Sequence, residues 1–402
     1  MDREDIVIIG GGICGLATAL ALHRKGLKSV VLEKSETLRE CGVVISILTN
    51  GWRALDQLGV ASKLRPVSFP VFGFHDIVLD NGSERRTPAS KEEIRSFRRI
   101  HLIETLAKEL PEDTIRFGCQ VSAITMDRDS SYPVIHLDDG TIIKSKVLIG
   151  CDGAFSRVAE YVGLKPVKHY SMAVVRGLTN YPTGHNISEK MFTRTRKGNV
   201  MVGRIPMGEN LVYWFVSMRS PTKDSTVLKD LDMKNLAKEA VKDYPSETVN
   251  MIEQCDINSL HFNNLHYRPP WNLFVENFSK GNVIVAGDAK HVMAPALGQG
   301  GSAALEDSVV LARCMAQKMI VEGLEGEQQH QKTINWGKAE LAFDQFLKER
   351  RSRVWWLSLN THIIVSLSQH ASSKAIRFLC IFFLIALFRK PLWDVQYNCG
   401  RL

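Results

Sequence analysis

The chain has 402 residues, 45% hydrophobic and 23% charged, and its 51 Lys+Arg against 43 Asp+Glu leave a net charge of +8. It is too apolar for a disordered chain and too long for a small stapled scaffold, and so thinly spread a positive charge is no nucleic-acid footprint. The 8 cysteines form no C-x-x-C pair, so neither a metal site nor a disulfide framework is expected, and a reducing compartment fits.

In chain order, an acidic start at Asp2, Glu4 and Asp5 runs directly into the apolar stretch Ile6–Ile9, which leaves no room for a signal or transit peptide and predicts a cytoplasmic protein. Residues 5–34 read as strand, glycine turn, helix and strand, one βαβ unit. Leu102, Ile103, Leu106 and Leu110 recur at helical spacing and predict a helix over 101–110 that stops at Pro111. Thr114–Phe117, Val134–Leu137 and Lys146–Ile149 read as strands, with Asp138-Asp139-Gly140 as a hairpin turn. Residues 170–218 are strand-rich, α/β character returns at Asn282–Ala286, and a helix follows from about Ser302 to Lys318. Beyond it the chain reads as helical. The apolar run Phe378–Phe388 is too short to span a bilayer; being apolar on every side, it is expected to pack on the protein rather than lie on a membrane.

The fold class expected is α/β. A doubly wound, Rossmann-like domain would comprise residues 1–72, 98–165 and 275–325, with a β-rich substrate domain inserted as 73–97 and 166–274 and a helical C-terminal region over 326–402. The sharpest local signal is Gly10-Gly11-Gly12-Ile13-Cys14-Gly15, a G-x-G-x-x-G directly after a strand and directly before a helix. Gly10 permits the turn, Gly12 lets backbone approach a pyrophosphate, and Gly15 lets helix and strand pack. The anion would rest on the helix N-terminus. Glu33, at the end of the second strand, is placed to accept from ribose hydroxyls.

Two further strands end in acidic motifs: Val147–Gly150 runs into Cys151-Asp152-Gly153, and Asn282–Ala286 into Gly287-Asp288-Ala289-Lys290-His291, then through Pro295 to Gly298-Gln299-Gly300-Gly301-Ser302. With these three motifs in this order, residues 5 to about 320 resemble the single-component (class A) flavoprotein monooxygenases of the aromatic-hydroxylase type, relatives of p-hydroxybenzoate, salicylate and 3-hydroxybenzoate hydroxylases. Thr49-Asn50-Gly51-Trp52-Arg53-Ala54-Leu55 and the ending Asn398–Leu402 resemble the plant members most. The resemblance implies non-covalent FAD, with NADH or NADPH and O2 as co-substrates, a flavin C4a-hydroperoxide as oxygen donor, and a small, phenolic substrate; a monomer is expected, without a nucleic-acid partner. Asp288 is placed to bond the ribityl hydroxyls, and the N–H groups of Gly300, Gly301 and Ser302 to stabilise a reduced ring. Asp152 and Gly153 would touch the pyrophosphate. By resemblance Arg99 reaches toward the flavin, although Arg98 could exchange roles with it, and Arg39 is a lesser candidate.

Lys290 before His291, and Gly301-Ser302 where many relatives carry Asn, depart from the family pattern. His291 is expected to be a structural hydrogen-bonder, Asp307 to be indifferent to cofactor binding, and no catalytic side chain is assigned. Met172, Val174, Arg204, Trp214 and Phe215 are candidate pocket linings, of which alternation sends half to the wrong face. Three other readings compete with this one: a flavin-dependent halogenase, whose W-x-W-x-I-P stretch is missing here; a membrane-associated epoxidase or reductase of isoprenoid lipids; and a non-catalytic FAD-binding scaffold.

Overall fold

The computed structural model describes residues 2–38, 43–89, 92–187, 189–221, 230–321, 333–369 and 393–402. The apolar start forms β1 (Asp2–Ile9), the glycine turn opens α1 (Ile13–Arg24), and β2 (Val30–Leu32) completes the predicted βαβ unit. There follow β3 (Val44–Ile47), α2 (Thr49–Gln57), β4 (Gly73–Val78), β5 (Ser83–Pro88), α3 (Arg99–Lys108), β6 (Ile142–Gly150) and α4 (Arg157–Val162). The middle of the chain supplies β7 (Lys168–Asn180), β8 (Phe192–Lys197), β9 (Val200–Pro206), β10 (Leu211–Arg219), α5 (Asp230–Ala240), α6 (Ser246–Glu253) and β11 (His261–Tyr267). The last elements used below are β12 (Val283–Val285), α7 (Asp288–His291), α8 (Gly300–Met319) and α9 (Ala339–Gln369).

The first sheet is doubly wound. Its parallel centre runs β12–β6–β1–β2, with β1 paired to both β6 and β2. Central strands buried on both faces need continuous apolar runs, and Ile6–Ile8, Val147–Ile149 and Val283–Val285 are all at 0% exposure. Helices α1 and α8 pack against each other over this sheet, and α9 lies on α8. The antiparallel strand Val121–Met126, which pairs with Pro133–Leu137, was not legible in the sequence. Its exposed and half-buried positions give no clean alternation.

The second sheet has seven strands in the order β11–β7–β10–β9–β8–β4–β5, all antiparallel neighbours except β8 with β4. Period-2 alternation gives it two faces. Val175, Val202, Val212, Trp214 and Val216 face α5 and α6 in one apolar cluster. Tyr170, Met172, Val174, Leu178, Tyr213 and Phe215 face the other way, in clusters with Ala294 and Ala296 on one side and Val43, Val44 and Leu48 on the other. That second face therefore roofs the loops at the carboxyl edge of the first sheet. Among the described residues no helix is long and apolar enough to cross a membrane. The run Phe378–Phe388 lies outside the described residues.

Candidate functional site

The three glycine and acidic motifs, at residues 10–15, 150–153 and 287–288, meet at one edge. In a parallel sheet every strand ends on the same side, and the register puts Ile9, Gly150 and Val285 level. Backbone hydrogen bonds join their continuations: Gly10 N–H to Leu32 O at 2.8 Å, Cys151 N–H to Ile9 O at 2.8 Å, and Ala286 N–H to Gly150 O at 2.9 Å. The turns then pack closely. A Cβ on Gly10 would lie 2.6 Å from Cys151 O, one on Gly15 would lie 1.9 Å from Gly10 O, and one on Gly287 would lie 2.8 Å from Cys14 Sγ.

Other glycines at the same edge face open space. At Gly12, which starts α1 without a side-chain cap, an added Cβ would meet nothing within 4 Å, and the same holds at Gly153 and Gly300. α8 likewise starts without a side-chain cap, and its first i→i−4 bond is Ala303 N–H to Gln299 O, which leaves the N–H groups of Gly300, Gly301 and Ser302 ahead of it. Two helix N-termini with room above them form a cradle for negative charge. The Ser302 hydroxyl is turned elsewhere, buried against Gly51, and Gly301 backs onto Ile45.

Acceptors lie between the two helix ends. Asp288, first residue of α7, is exposed, while its neighbours Ala289, Lys290 and His291 are buried. Glu33 is 6% exposed and accepts from Gly11 N–H at 2.6 Å and Ser35 N–H at 3.0 Å, so it stiffens the glycine turn as well as facing its opening. Asp152 uses Oδ2 to cap α4 through Arg157 N–H at 2.7 Å and Val158 N–H at 3.3 Å. Its Oδ1 is buried without a partner, and burial pushes its carboxyl above the usual range. Arg99 is half-buried at the start of α3 with Nε lacking a hydrogen bond, whereas Arg98 is exposed. Pro295 opens a short 3-10 turn that ends on Gly298 at φ 63°. Uncapped N-termini, an orphaned buried carboxylate oxygen and an exposed strand-end aspartate together fit a flavin dinucleotide: donors for the phosphates and ring, acceptors for the hydroxyls between.

A buried ionic network braces this edge from behind, and sequence reading missed it. Asp307 is fully buried in α8; its Oδ2 accepts from Gly287 N–H at 3.1 Å and lies 2.7 Å from His291 Nε2, and its Oδ1 accepts from Arg350 Nε at 2.7 Å. Burial alone would raise the Asp307 carboxyl; Lys290, His291 and Arg350 outweigh that and hold it well below the ordinary carboxylate range. Arg350 also reaches Glu306 at 2.6 Å, and Asn50 links Glu306 (2.6 Å) to Gln299 (2.9 Å), the residue ahead of the Gly300 turn. Lys290 is buried with no hydrogen bond to Nζ, 4.4 Å from the Phe346 ring, and burial lowers its amine to about 8. His291 is held by hydrogen bonding to Asp307, which also accepts from the Gly287 N–H just before Asp288.

Of the proposed pocket linings, Met172, Val174 and Phe215 are on the roof face. Trp214 and Arg204 are not. Trp214 donates Nε1–H to Thr179 Oγ1 at 2.9 Å on the opposite face, and Arg204, its cross-strand partner, pairs with Glu247 of α6. Inner positions that sequence reading omitted include Tyr170, Arg176, Leu178 and Tyr213. Arg39 lies outside the described residues.

A model of the FAD binding domain family matches residues 3–326. Over 100% of both chains, the sequence is 43% identical to Monooxygenase 1 and 37% identical to Monooxygenase 2 of Arabidopsis thaliana. The fold is similar to Klebsiella pneumoniae HpxO complexed with FAD and uric acid (TM-score 0.76, 19% identity, covering 99% of this chain and 96% of that one). It is equally similar to a salicylate hydroxylase substrate complex (TM-score 0.76, 18% identity, 99% and 96%).

Proposed function

The chain belongs to the FAD binding domain family of flavoprotein monooxygenases, of the aromatic-hydroxylase type, and from that premise we propose that it uses NADH or NADPH and O2 to insert one oxygen atom into a small aromatic substrate. The observation that carries this reading is the level meeting of three strand ends beneath two uncapped helix N-termini. FAD, when bound, supplies electron transfer and oxygen activation. Gly10, Gly12 and Gly15 would seat its pyrophosphate on α1, with Asp152 and Gly153 alongside; Glu33 would accept from the ribose and Asp288 from the ribityl chain. Pro295 and Gly298 would let backbone pass beside the ring, with Arg99 reaching toward it from α3. The N–H groups of Gly300, Gly301 and Ser302 would stabilise the negative charge the ring gains on reduction.

The protein's further task is to keep water from the reacting atoms. The apolar roof of Val174, Leu178 and Phe215 supports that part of the reading. Only one dinucleotide fingerprint occurs in the sequence, so the nicotinamide is proposed as a transient visitor. Purified holoenzyme given NADH or NADPH, a panel of phenols and isotopically labelled O2 is expected to consume the nucleotide faster with some phenols and to yield a product carrying one labelled oxygen. Nucleotide consumption that yields only hydrogen peroxide with every phenol would contradict the proposal.

A further inference from the structure

Residues 49–55 of α2 and the segment at 393–402 meet in the structure, and α2 joins that segment to the start of α8. Thr49 and Arg53, one helical turn apart, take the segment. Arg53 donates through Nη1 to Gln396 O and to Tyr397 O (3.3 Å), and through Nη2 to Gln396 Oε1 at 3.0 Å. Thr49 donates to Glu92, to which Gln396 also donates. Asn50 and Gly51 reach α8 instead. Asn50 Nδ2 donates to Glu306 and to Gln299, and a Cβ on Gly51 would stand 2.6 Å from Ser302 Oγ. Gln299 and Ser302 bracket Gly300 and Gly301 at the uncapped start of α8.

The same segment closes over the buried ionic network. The Tyr397 ring lies 5.1 Å from the Arg350 guanidinium and 4.9 Å from that of Arg353, and both arginines pair with Glu306, at 2.6 and 3.2 Å. Arg350 is at 0% exposure, and its Nη1 has no hydrogen bond among the described residues. A ring face attracts a guanidinium most strongly where water is excluded. Around Tyr397 the segment is pinned: Val395 packs with Val44 and Leu48, Arg313 donates to Cys399 O, and Leu402 N–H donates to Gln57 Oε1 at 3.0 Å. Two routes therefore lead from this segment to Gln299, one through Arg53 and α2 and the other through Tyr397, Arg350, Glu306 and Asn50.

We propose that Tyr397 is a positioning residue of the flavin site, holding Arg350, Arg353 and Glu306 so that Asn50 and Gln299 keep the N–H groups of Gly300, Gly301 and Ser302 aimed at the charge the ring gains on reduction. This rests on the monooxygenase reading above and adds the segment 393–402 to its site. Tyr397 acts through other residues, so the readout is the reduction potential of bound FAD, which a brace serving only the fold would not move. Wild-type holoenzyme and the variants Tyr397→Leu, Tyr397→Phe and Arg53→Ala are titrated anaerobically with dithionite against a reference dye, and their thermal unfolding is followed in parallel.

Tyr397→Leu is expected to lose roughly tenfold in its preference for reduced over oxidised FAD, as weakening one hydrogen bond to a charged group implies, which puts its midpoint about 30 mV below wild type. Tyr397→Phe keeps the ring face and should keep the wild-type potential. Arg53→Ala, at a half-buried position on the other route, should shift the same way as Tyr397→Leu, and the two together by less than their sum. A yellow Tyr397→Leu protein with the wild-type potential, whatever its melting point, overturns the assignment and leaves the monooxygenase reading standing. Should Tyr397→Leu fail to fold, an unshifted Arg53→Ala does the same. A Tyr397→Phe potential displaced as far as that of Tyr397→Leu also overturns it, because the ring face is then not what acts. A colourless, well-folded wild-type protein overturns both.

Discussion

Asp307→Ala is expected to cost the protein about 3–5 kcal/mol of stability. The substitution leaves Arg350, at 0% exposure, without its Nε partner, removes the acceptor of His291 Nε2, and strips Gly287 N–H of its bond. Removing one member of a buried ionic set strands the others, and that penalty exceeds the net worth of the intact pair. Asp344→Ala, at an exposed position on α9, should stay within about 0.5 kcal/mol. Thermal unfolding of the two variants side by side checks this, and equal midpoints would contradict it. The same carboxyl predicts a pH dependence. Its folded-state value is held below the ordinary value of about 3.9, so its contribution is complete above that pH and is lost as acid carries the solution below it. The acid limb of the wild-type stability profile should flatten in Asp307→Asn.

Asp288→Ala is expected to leave the fold intact and weaken FAD binding by about 2–5 kcal/mol, roughly 30-fold or more. The side chain is exposed, so its loss uncovers nothing in the core. It follows the end of β12, beside the openings over Gly12 and Gly153, where an acceptor can reach a polyhydroxyl chain. Equilibrium dialysis of apoprotein against FAD, with thermal unfolding of the same preparations, separates the two substitutions: Asp288→Ala loses cofactor and keeps stability, whereas Asp307→Ala loses stability first. Unchanged FAD affinity in Asp288→Ala would show that the strand-end assignment is wrong.

What was legible in the sequence was local. β1, α1 and β2 could be read because an apolar run, a glycine turn and a second apolar run lie within thirty or so residues, and each later strand that ends the site carries its own punctuation in Gly150 to Gly153 and Gly287-Asp288. The helix expected from about Ser302 to Lys318 is α8, Gly300–Met319. The bracing network was illegible because Glu306 and Asp307 look like any solvated acidic pair in a helix. Their partners lie 43 and 47 residues on, in Arg350 and Arg353, or 256 residues back, in Asn50. Alternation could say that Trp214 and Phe215 point opposite ways but not which way faces the cofactor edge; that parity is set by α5 and α6 covering one side.

This edge is expected to hold FAD without a covalent bond. Heating or acidifying the purified yellow protein, removing the precipitated chain and analysing the supernatant tests it most directly. The expected result is close to one free FAD for each chain in the supernatant and a colourless pellet. Flavin that stays with the precipitated chain, or a well-folded protein that is colourless and takes up no added FAD, would contradict it.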